Sequence, residues 1–377
     1  MNVPKLRFKE FNDEWIETKI QNVATVIGGG TPSTDEPKYW GNEINWFTPS
    51  EIGKTKYVTI SNRKISQDGL KNSSAKLLPK GTILLSSRAT VGEASILLNE
   101  ASTNQGFQSL IVNENNCNEF IYYLKYKYKR EMLIKSFGST FLEISKSNVE
   151  NIKIKIPSKE EQFMIANFLS LLDKKIELQT KKIEDLKLFK KGLLYNEKRN
   201  NNSWNEYKIS DIMNIARGTV IPKTEISECL NNEFRYPVYS SQTSNNGILG
   251  YDNKYDFNGK FLTWTTDGAN AGKIFYREGK FRCTNVCGIL YNKDNRYVSE
   301  LTAELLNIET PKYVSYVGNP KLMNNVMSNI IIKLPGPSRD HFFSSILKII
   351  NKKLTIEEEK LDKLFELKKG LMQNMFV

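Results

Sequence analysis

The residue types that usually carry acid–base, nucleophilic or metal chemistry are scarce in this chain. There is one histidine, His341, in SRDHFFSSIL, so any histidine-dependent catalysis or histidine-rich metal site would pass through it. It falls at an expected helix start, where packing or solvation is its ordinary role. Cys283 and Cys287 stand four apart in a strand-like stretch, FRCTNVCGILY, with no two further ligands nearby to complete a zinc site. No G-x-x-x-x-G-K-[ST] phosphate loop is present, and GGGTPST lacks the spacing of a dinucleotide fingerprint. Asn-Pro-Pro-Tyr and Asp-Pro-Pro-Tyr motifs for amine methylation are missing, as is a P-D…D/E-x-K nuclease cluster. The chain carries no recognisable catalytic engine.

The residues that could recognise a nucleic acid are those able to reach base edges or phosphates: Arg, Lys, Asn, Gln, Ser and Thr. In the first half they gather as Thr31 and Ser33 in TVIGGGTPST, Thr48 and Ser50 in FTPSE, Arg88 and Thr90 in SSRATVG, and Asn104, Gln105 and Gln108 in TNQGFQS. In the second half the comparable set is Lys223 in NIARGTVIPKT, Tyr239, Ser241 and Gln242 in VYSSQTSNNG, Thr265, Thr266, Asn270 and Lys273 in TTDGANAGK, and Asn285. Glycine and proline after short strands suit backbone approach to a ligand, and they equally suit ordinary hairpins. FIYYLKYKYKRE at 120–131 interleaves aromatics with Lys125, Lys127, Lys129 and Arg130. On a helix its tyrosines pack inward while its cations face phosphate or water.

Composition sets the frame for these loops. The chain has 377 residues, so two or more globular units are expected. Lys+Arg 54 against Asp+Glu 42 gives +12, which attracts a polyanion or simply keeps the chain soluble. No stretch approaches the roughly 20 apolar residues of a membrane span. MNVPKLRFKEF has no apolar export region, and four irregularly spaced cysteines fit a reducing compartment, so a cytoplasmic location is expected.

The elements that must hold the loops are announced by a repeat. LKLFKKGLLYN at 186–196 returns as LFELKKGLMQN at 364–374, an offset of 364 − 186 = 178. NVENIKIKIPSKEEQ at 148–162 returns as VMSNIIIKLPGPSRD at 326–340, and WIETKIQNV at 15–23 finds a partner in WNEYKISDI at 204–212. STNQGFQSLIVN at 102–113 resembles CTNVCGILYN at 283–292 more loosely. An apolar 3-4 spacing runs from Ile165 through Leu169, Leu172, Ile176, Ile183, Leu186 and Leu193, broken at Gln179 and Lys190. Adding 178 gives Phe343, Leu347, Ile350, Leu354, Leu361, Leu364 and Leu371, broken at Glu357 and Lys368. That is a heptad seam in duplicate. About 37 helical positions give a helix of some 55 Å. An antiparallel pairing of the two helices is favoured, because it sets two strand-rich blocks at opposite ends of one rod, related by a pseudo-two-fold axis. NEKRNNNSW leads into the second block as PKLRFKEFNDEW leads into the first.

Two divergent blocks, each followed by a similar long helix, resemble the DNA specificity subunit of Type I restriction-modification systems over essentially the whole chain. The segments that carry the resemblance are IPSKEEQ with its following helix, LKKGLMQNMF, VPKLRFKEF and GSTFLEIS at 138–145. The resemblance implies an α+β fold with two strand-rich α/β target recognition domains in tandem, 1–157 and 200–335. Spacer helices at 158–199 and 336–377 would pair as an antiparallel coiled coil. Each domain would read half of a bipartite asymmetric target in double-stranded DNA, and the helices would set the unread gap and dock two methyltransferase subunits. Motor-nuclease subunits would join for cleavage. The chain itself would be non-catalytic and hold no cofactor; S-adenosylmethionine, and ATP and Mg for restriction, would belong to partner subunits. The second copy departs from the pattern: GPSRDHFFSSIL replaces SKEEQFMIANFL, which puts in doubt any second-copy equivalent of polar contacts made by Glu161 and Gln162.

Overall fold

The computed structural model describes residues 3–137, 142–199, 204–292 and 296–377. Part of GSTFLEIS (138–141) and part of NEKRNNNSW (200–203) lie outside the described residues. Two compact units are formed, one from residues 1–179 with 360–377 and the other from 180–359. Each unit therefore takes part of both long helices.

In the first unit, β1 (Ile16–Lys19) leads through the short α1 (Ile20–Val23) into β2 (Ala24–Gly28). Then follow β3 (Trp40–Phe47), β4 (Tyr57–Val58), β5 (Arg63–Ile65), α2 (Gln67–Lys71), β6 (Ile83–Leu85), β7 (Ala94–Leu97), β8 (Ser102–Thr103) and β9 (Gln108–Val112). The unit closes with α3 (Asn118–Lys135), α4 (Lys146–Glu150), β10 (Lys153–Ile156) and the start of α5 (Lys159–Arg199). A five-stranded sheet runs β2-β9-β6-β7-β4, beside a three-stranded sheet β5-β3-β8 and the antiparallel pair β1-β10. The run Ile83-Leu84-Leu85 is buried throughout because both faces of β6 are covered. Ile83 and Leu85 join a core with Phe120, Tyr123 and Leu169, while Leu84 joins Phe47 and Phe107 on the other side.

The second unit repeats the plan with β11 (Asn205–Lys208), α6 (Ile209–Ile212), β12 (Asn214–Arg217), β13 (Tyr236–Tyr239), β14 (Ile248–Asp252), β15 (Phe257–Thr265), β16 (Ile274–Cys283) and β17 (Cys287–Tyr291). Then come α7 (Glu300–Glu309), α8 (Asn324–Ser328), β18 (Ile331–Leu334) and α9 (Pro337–Asn374). Its large sheet runs β12-β17-β15-β16-β13-β14, and β11 pairs with β18 as β1 pairs with β10.

The seam of α5 and α9 is antiparallel in each unit. In the first, Ile165, Leu169 and Leu172 from the start of α5 share a core with Leu371, Met375 and Phe376 from the end of α9, with Ile176 and Leu364 at its edge. In the second, Lys182 lies 3.0 Å from Glu357 and Lys190 lies 2.8 Å from Asn351, so α5 advances as α9 recedes. Ile183, Leu347, Ile350 and Leu354 are buried there, and Leu186 and Leu361 are half-buried in their own units. At the far end of α5 the buried position passes from Leu193 to Leu194. A helix of 3.6 residues per turn drifts about 20° per heptad against a 3.5 repeat, enough to hand the seam to the next residue. Gly192 and Gly370 sit inside continuous helix. His341 is exposed on α9.

Candidate nucleic-acid interface

In the first unit the loop after β2 is clamped from three sides. The Gly30 amide donates to the Thr103 carbonyl at 2.9 Å, and the indoles of Trp46 and Trp40 donate to the carbonyls of Gly30 and Ser33 at 2.9 and 3.0 Å. A Cβ on Gly29 would stand 2.0 Å from the Asn104 carbonyl oxygen, and one on Gly30 2.4 Å from the Ala75 nitrogen. These glycines admit the protein's own backbone, and that contact places the exposed Thr31 against Gln105, whose side-chain oxygen accepts from the Thr31 hydroxyl. Thr48 caps the turn Pro49–Glu51 in a capping box with Glu51, with Ser50 at 3.1 Å. Asn104 accepts from the Gly106 amide at 2.9 Å, and the Ser87 amide donates to the Gly106 carbonyl at 2.8 Å. That bond brings Arg88 and Thr90 to the same surface. Arg88 Nε lies 2.8 Å from Glu143 Oε1, with the arginine side chain 43% exposed. Gln108 is half-buried on β9.

The aromatic-basic segment at 120–131 belongs to the core instead. Phe120, Tyr122, Tyr123 and Tyr128 are buried, and Lys125 Nζ lies 4.2 Å over the Tyr122 ring and 3.3 Å from the Ala94 carbonyl. Burial pushes the Lys125 pKa down to about 8. Lys129 pairs with Glu93. These two cations are committed to the protein.

In the second unit, Tyr239 carries the Arg277 guanidinium over its ring at 3.6 Å, and Gln242 donates to the Ile248 carbonyl. Ser241 is half-buried beside it in the chain, Lys223 is exposed on the turn Lys223–Glu225, and Asn270 is exposed between β15 and β16. Lys273 is exposed just before β16, with Nζ 5.9 Å from the centre of the Phe275 ring. Asn285 is exposed, and its carbonyl accepts from Arg217 Nε at 2.6 Å. Thr265 and Thr266 correct the sequence reading: they are 1% and 0% exposed and do not reach the surface. The Thr266 amide donates to the Val286 carbonyl and its carbonyl accepts from Leu322, so the pair buttresses the loop from beneath.

The two loop surfaces share one main-chain frame. Phe47 and Thr103 are parallel-bridge partners as are Tyr239 and Cys283. Gly30 donates to Thr103 as Thr219 donates to Cys283, and Asn104 donates to Phe47 as Thr284 donates to Tyr239. Ser87 donates to Gly106 and accepts from Ile144; Thr266 donates to Val286 and accepts from Leu322. Glu143 bridges both Phe137 and Arg88, and Lys321 bridges both Ser315 and Asp267. The frame persists where side-chain identity has been lost.

A family model described as the Type I restriction modification DNA specificity domain matches residues 12–188 and again 201–366. The chain belongs to this family. The two matches fall on the two halves that share the frame. A Type I restriction enzyme specificity subunit of Methanocaldococcus jannaschii is 36% identical over 236 residues, 56% of this chain and 55% of that protein. The chain thus spans about half the length of that relative. A putative type I specificity subunit N-terminus from Mycoplasma pneumoniae is 46% identical over 142 residues, covering 37% of this chain and 74% of the relative. The crystal structure of a Type-I restriction-modification system S subunit from M. genitalium aligns over 100% of this chain and 99% of its own, with a TM-score of 0.73 and 17% identity. At that identity the likeness is one of fold.

Sequence reasoning passed over Asp267, Arg217 and Arg277. Asp267 lay within a quoted loop, but its significance depends on pairing with Lys321, 54 residues away. Arg277 sits in mid-strand, where nothing local tells a buried, ring-stacked arginine from a solvated one. Among the described residues no group of three or more His, Cys, Asp and Glu side chains is arranged to hold a metal ion, and no helix is long and apolar enough to cross a membrane.

Proposed function

We propose that the chain is the non-catalytic DNA specificity subunit of a Type I restriction-modification complex. Each specificity domain reads one half of a bipartite asymmetric target, the helices set the unread gap, and two methyltransferase subunits dock on them, joined by motor-nuclease subunits for cleavage. The observation that carries this reading is one backbone frame built twice, with different polar side chains at its matched loop positions. A reader of two unlike half-sites needs that combination. The net charge of +12 supplies the attraction to phosphate.

Partner docking is supported by a second duplicated stripe. Met164, Leu171 and Leu178 are exposed on α5, and Phe342, Ile349 and Ile356, each 178 residues later, are exposed on α9. Seven-residue spacing puts each trio on one helix face. Equal stripes suit two copies of the same partner.

The test is to co-express the chain with its methyltransferase and map methylated adenines across the host DNA. A two-part, non-palindromic motif is expected. A contiguous or palindromic motif, or methyl transfer by the purified chain alone, would overturn the reading.

A further inference from the structure

The matched frames place opposite charges at the same loop position. Arg88 in the first unit and Asp267 in the second follow matched buttress residues, Ser87 and Thr266, and bridge matched partners, Glu143 and Lys321. At these two main-chain bridges the residue types have changed sign, Arg88 and Glu143 against Asp267 and Lys321, while the cation that meets the Asp267 side chain is Arg217.

Both side chains are held and yet incompletely used. Arg88 Nε lies 2.8 Å from Glu143 Oε1, an ion-pair contact without hydrogen-bond geometry that holds the guanidinium beside the carboxylate. Among the described residues its two terminal amino groups have no hydrogen-bond partner, and the side chain is 43% exposed. Asp267 Oδ2 accepts from the Thr266 hydroxyl at 2.7 Å and lies 3.7 Å from Arg217 Nη2. Among the described residues its Oδ1 has no partner, and the side chain is 24% exposed. A guanidinium can only donate and an ionised carboxylate can only accept. In the major groove, guanine presents two acceptors, O6 and N7, to an arginine fork, whereas a carboxylate takes the exocyclic amine of cytosine N4.

We infer that Arg88 and Asp267 are matched specificity determinants of opposite polarity, Arg88 reading a guanine in one half-site and Asp267 a cytosine in the other. This rests on the proposed function and deepens it by naming the base class each unit takes. Glu143 is then a positioning residue for Arg88, and Arg217 with Thr266 for Asp267.

The experiment uses the complex assembled with its methyltransferase subunit, first to map the wild-type motif and then to compare Arg88→Gln and Asp267→Asn. An amide pairs best with adenine N6 and N7. Arg88→Gln should therefore convert one guanine of one half-site towards adenine, and Asp267→Asn one cytosine of the other half-site towards adenine. Binding is also measured on four duplexes differing at the single mapped base. Wild type should favour its base by roughly tenfold or more. Each variant should lose that preference at its own position and keep every preference in the other half-site. The retained half-site shows that the variant is folded. Unchanged motifs, uniform weakening on all four duplexes, or both variants altering the same half-site would overturn the assignment. A wild-type complex lacking a bipartite motif would remove the underlying reading, a result distinct from these.

Discussion

Lys368 Nζ lies 2.5 Å from Asp173 Oδ1, and the repeat makes the same contact again: Lys190, at 368 − 178, lies 2.8 Å from Asn351, at 173 + 178. The breaks at Lys190 and Lys368 are thus fitted polar contacts, each serving its own unit. Lys190 is the more deeply set, also meeting Glu304 at 2.6 Å with side chains 19% and 14% exposed. Burial raises the pKa of nearby Glu300, and Glu304 adds to this.

Lys190→Met should therefore destabilise the second unit by about 1–3 kcal/mol, because it removes the cation that meets the half-buried Glu304 and lies near Glu300. Carboxyl groups whose folded pKa is raised destabilise the fold above that pKa and cease to do so when protonated. The deficit of the variant should be full at neutral pH and shrink as pH falls through the carboxylate range. Urea denaturation of both proteins at pH 7 and pH 4.5 checks this. Lys368→Met, at a more exposed pair, should cost about 1 kcal/mol or less.

Glu161 predicts a difference between the copies. Its carboxylate receives Arg7 through two bonds of 2.8 Å and the Trp15 indole at 3.4 Å, and it is 1% exposed. Gln162 beside it accepts from the Cys117 amide at 2.9 Å. In the second copy Trp204, at the position of Trp15, has a buried indole nitrogen with no partner among the described residues. Glu161→Gln should cost about 1–3 kcal/mol by leaving the half-buried Arg7 guanidinium without its carboxylate partner. A double-mutant cycle with Arg7→Met, followed by urea denaturation, should show most of that loss recovered.

How far sequence reached follows from these contacts. The seam, its antiparallel sense and the loss of the Glu-Gln pair were readable because heptad spacing is local and its duplication leaves little room for chance. At the end of α5 the seam takes in Leu194 as well as the half-buried Leu193, because helical drift accumulates along its 41 residues. Thr265 and Thr266 read as loop because they precede Asp267-Gly268, yet Thr265 is tied to Lys273 and Gly272, and Thr266 to Val286 and Leu322, and both are buried. The cations at 125 and 129 read as facing phosphate or water, and only the fold revealed their partners, Ala94 and Glu93. What was missed depends on residues far apart in sequence.

Lys125 yields a pH prediction. Burial holds its pKa at about 8 against an ordinary 10.5. Between these values the unfolded chain binds more protons than the folded one, so wild-type stability gains a rising contribution with pH. Lys125→Met lacks that contribution and escapes the burial of a cation. The variant should be more stable by about 1 kcal/mol at pH 7, with the advantage fading between pH 8 and 10.5. Urea midpoints of the two proteins across that range check it.

Glycine-to-alanine substitution should carry opposite signs in helix and loop. A Cβ at Gly192 or Gly370 meets nothing within 4 Å, so alanine should stabilise each helix by about 0.5–1 kcal/mol through lower unfolded-chain entropy and better helix propensity. At Gly29 a Cβ would stand 2.0 Å from the Asn104 carbonyl oxygen, and at Gly218 2.3 Å from that of Thr284. Both contacts are backbone, so the loop must move away from the strand that places it. The cost should be about 1–3 kcal/mol of overpacking strain, confined to one unit in each case. Gly29→Ala should weaken reading of the half-site taken by the first unit, where Thr31 and Gln105 depend on that contact, and spare the other. Gly218→Ala should do the reverse, through Arg217 and Asn285. Methylation motifs from the assembled complex, read for each variant, distinguish these outcomes: loss of both half-sites from either substitution would mean that the two surfaces do not act independently.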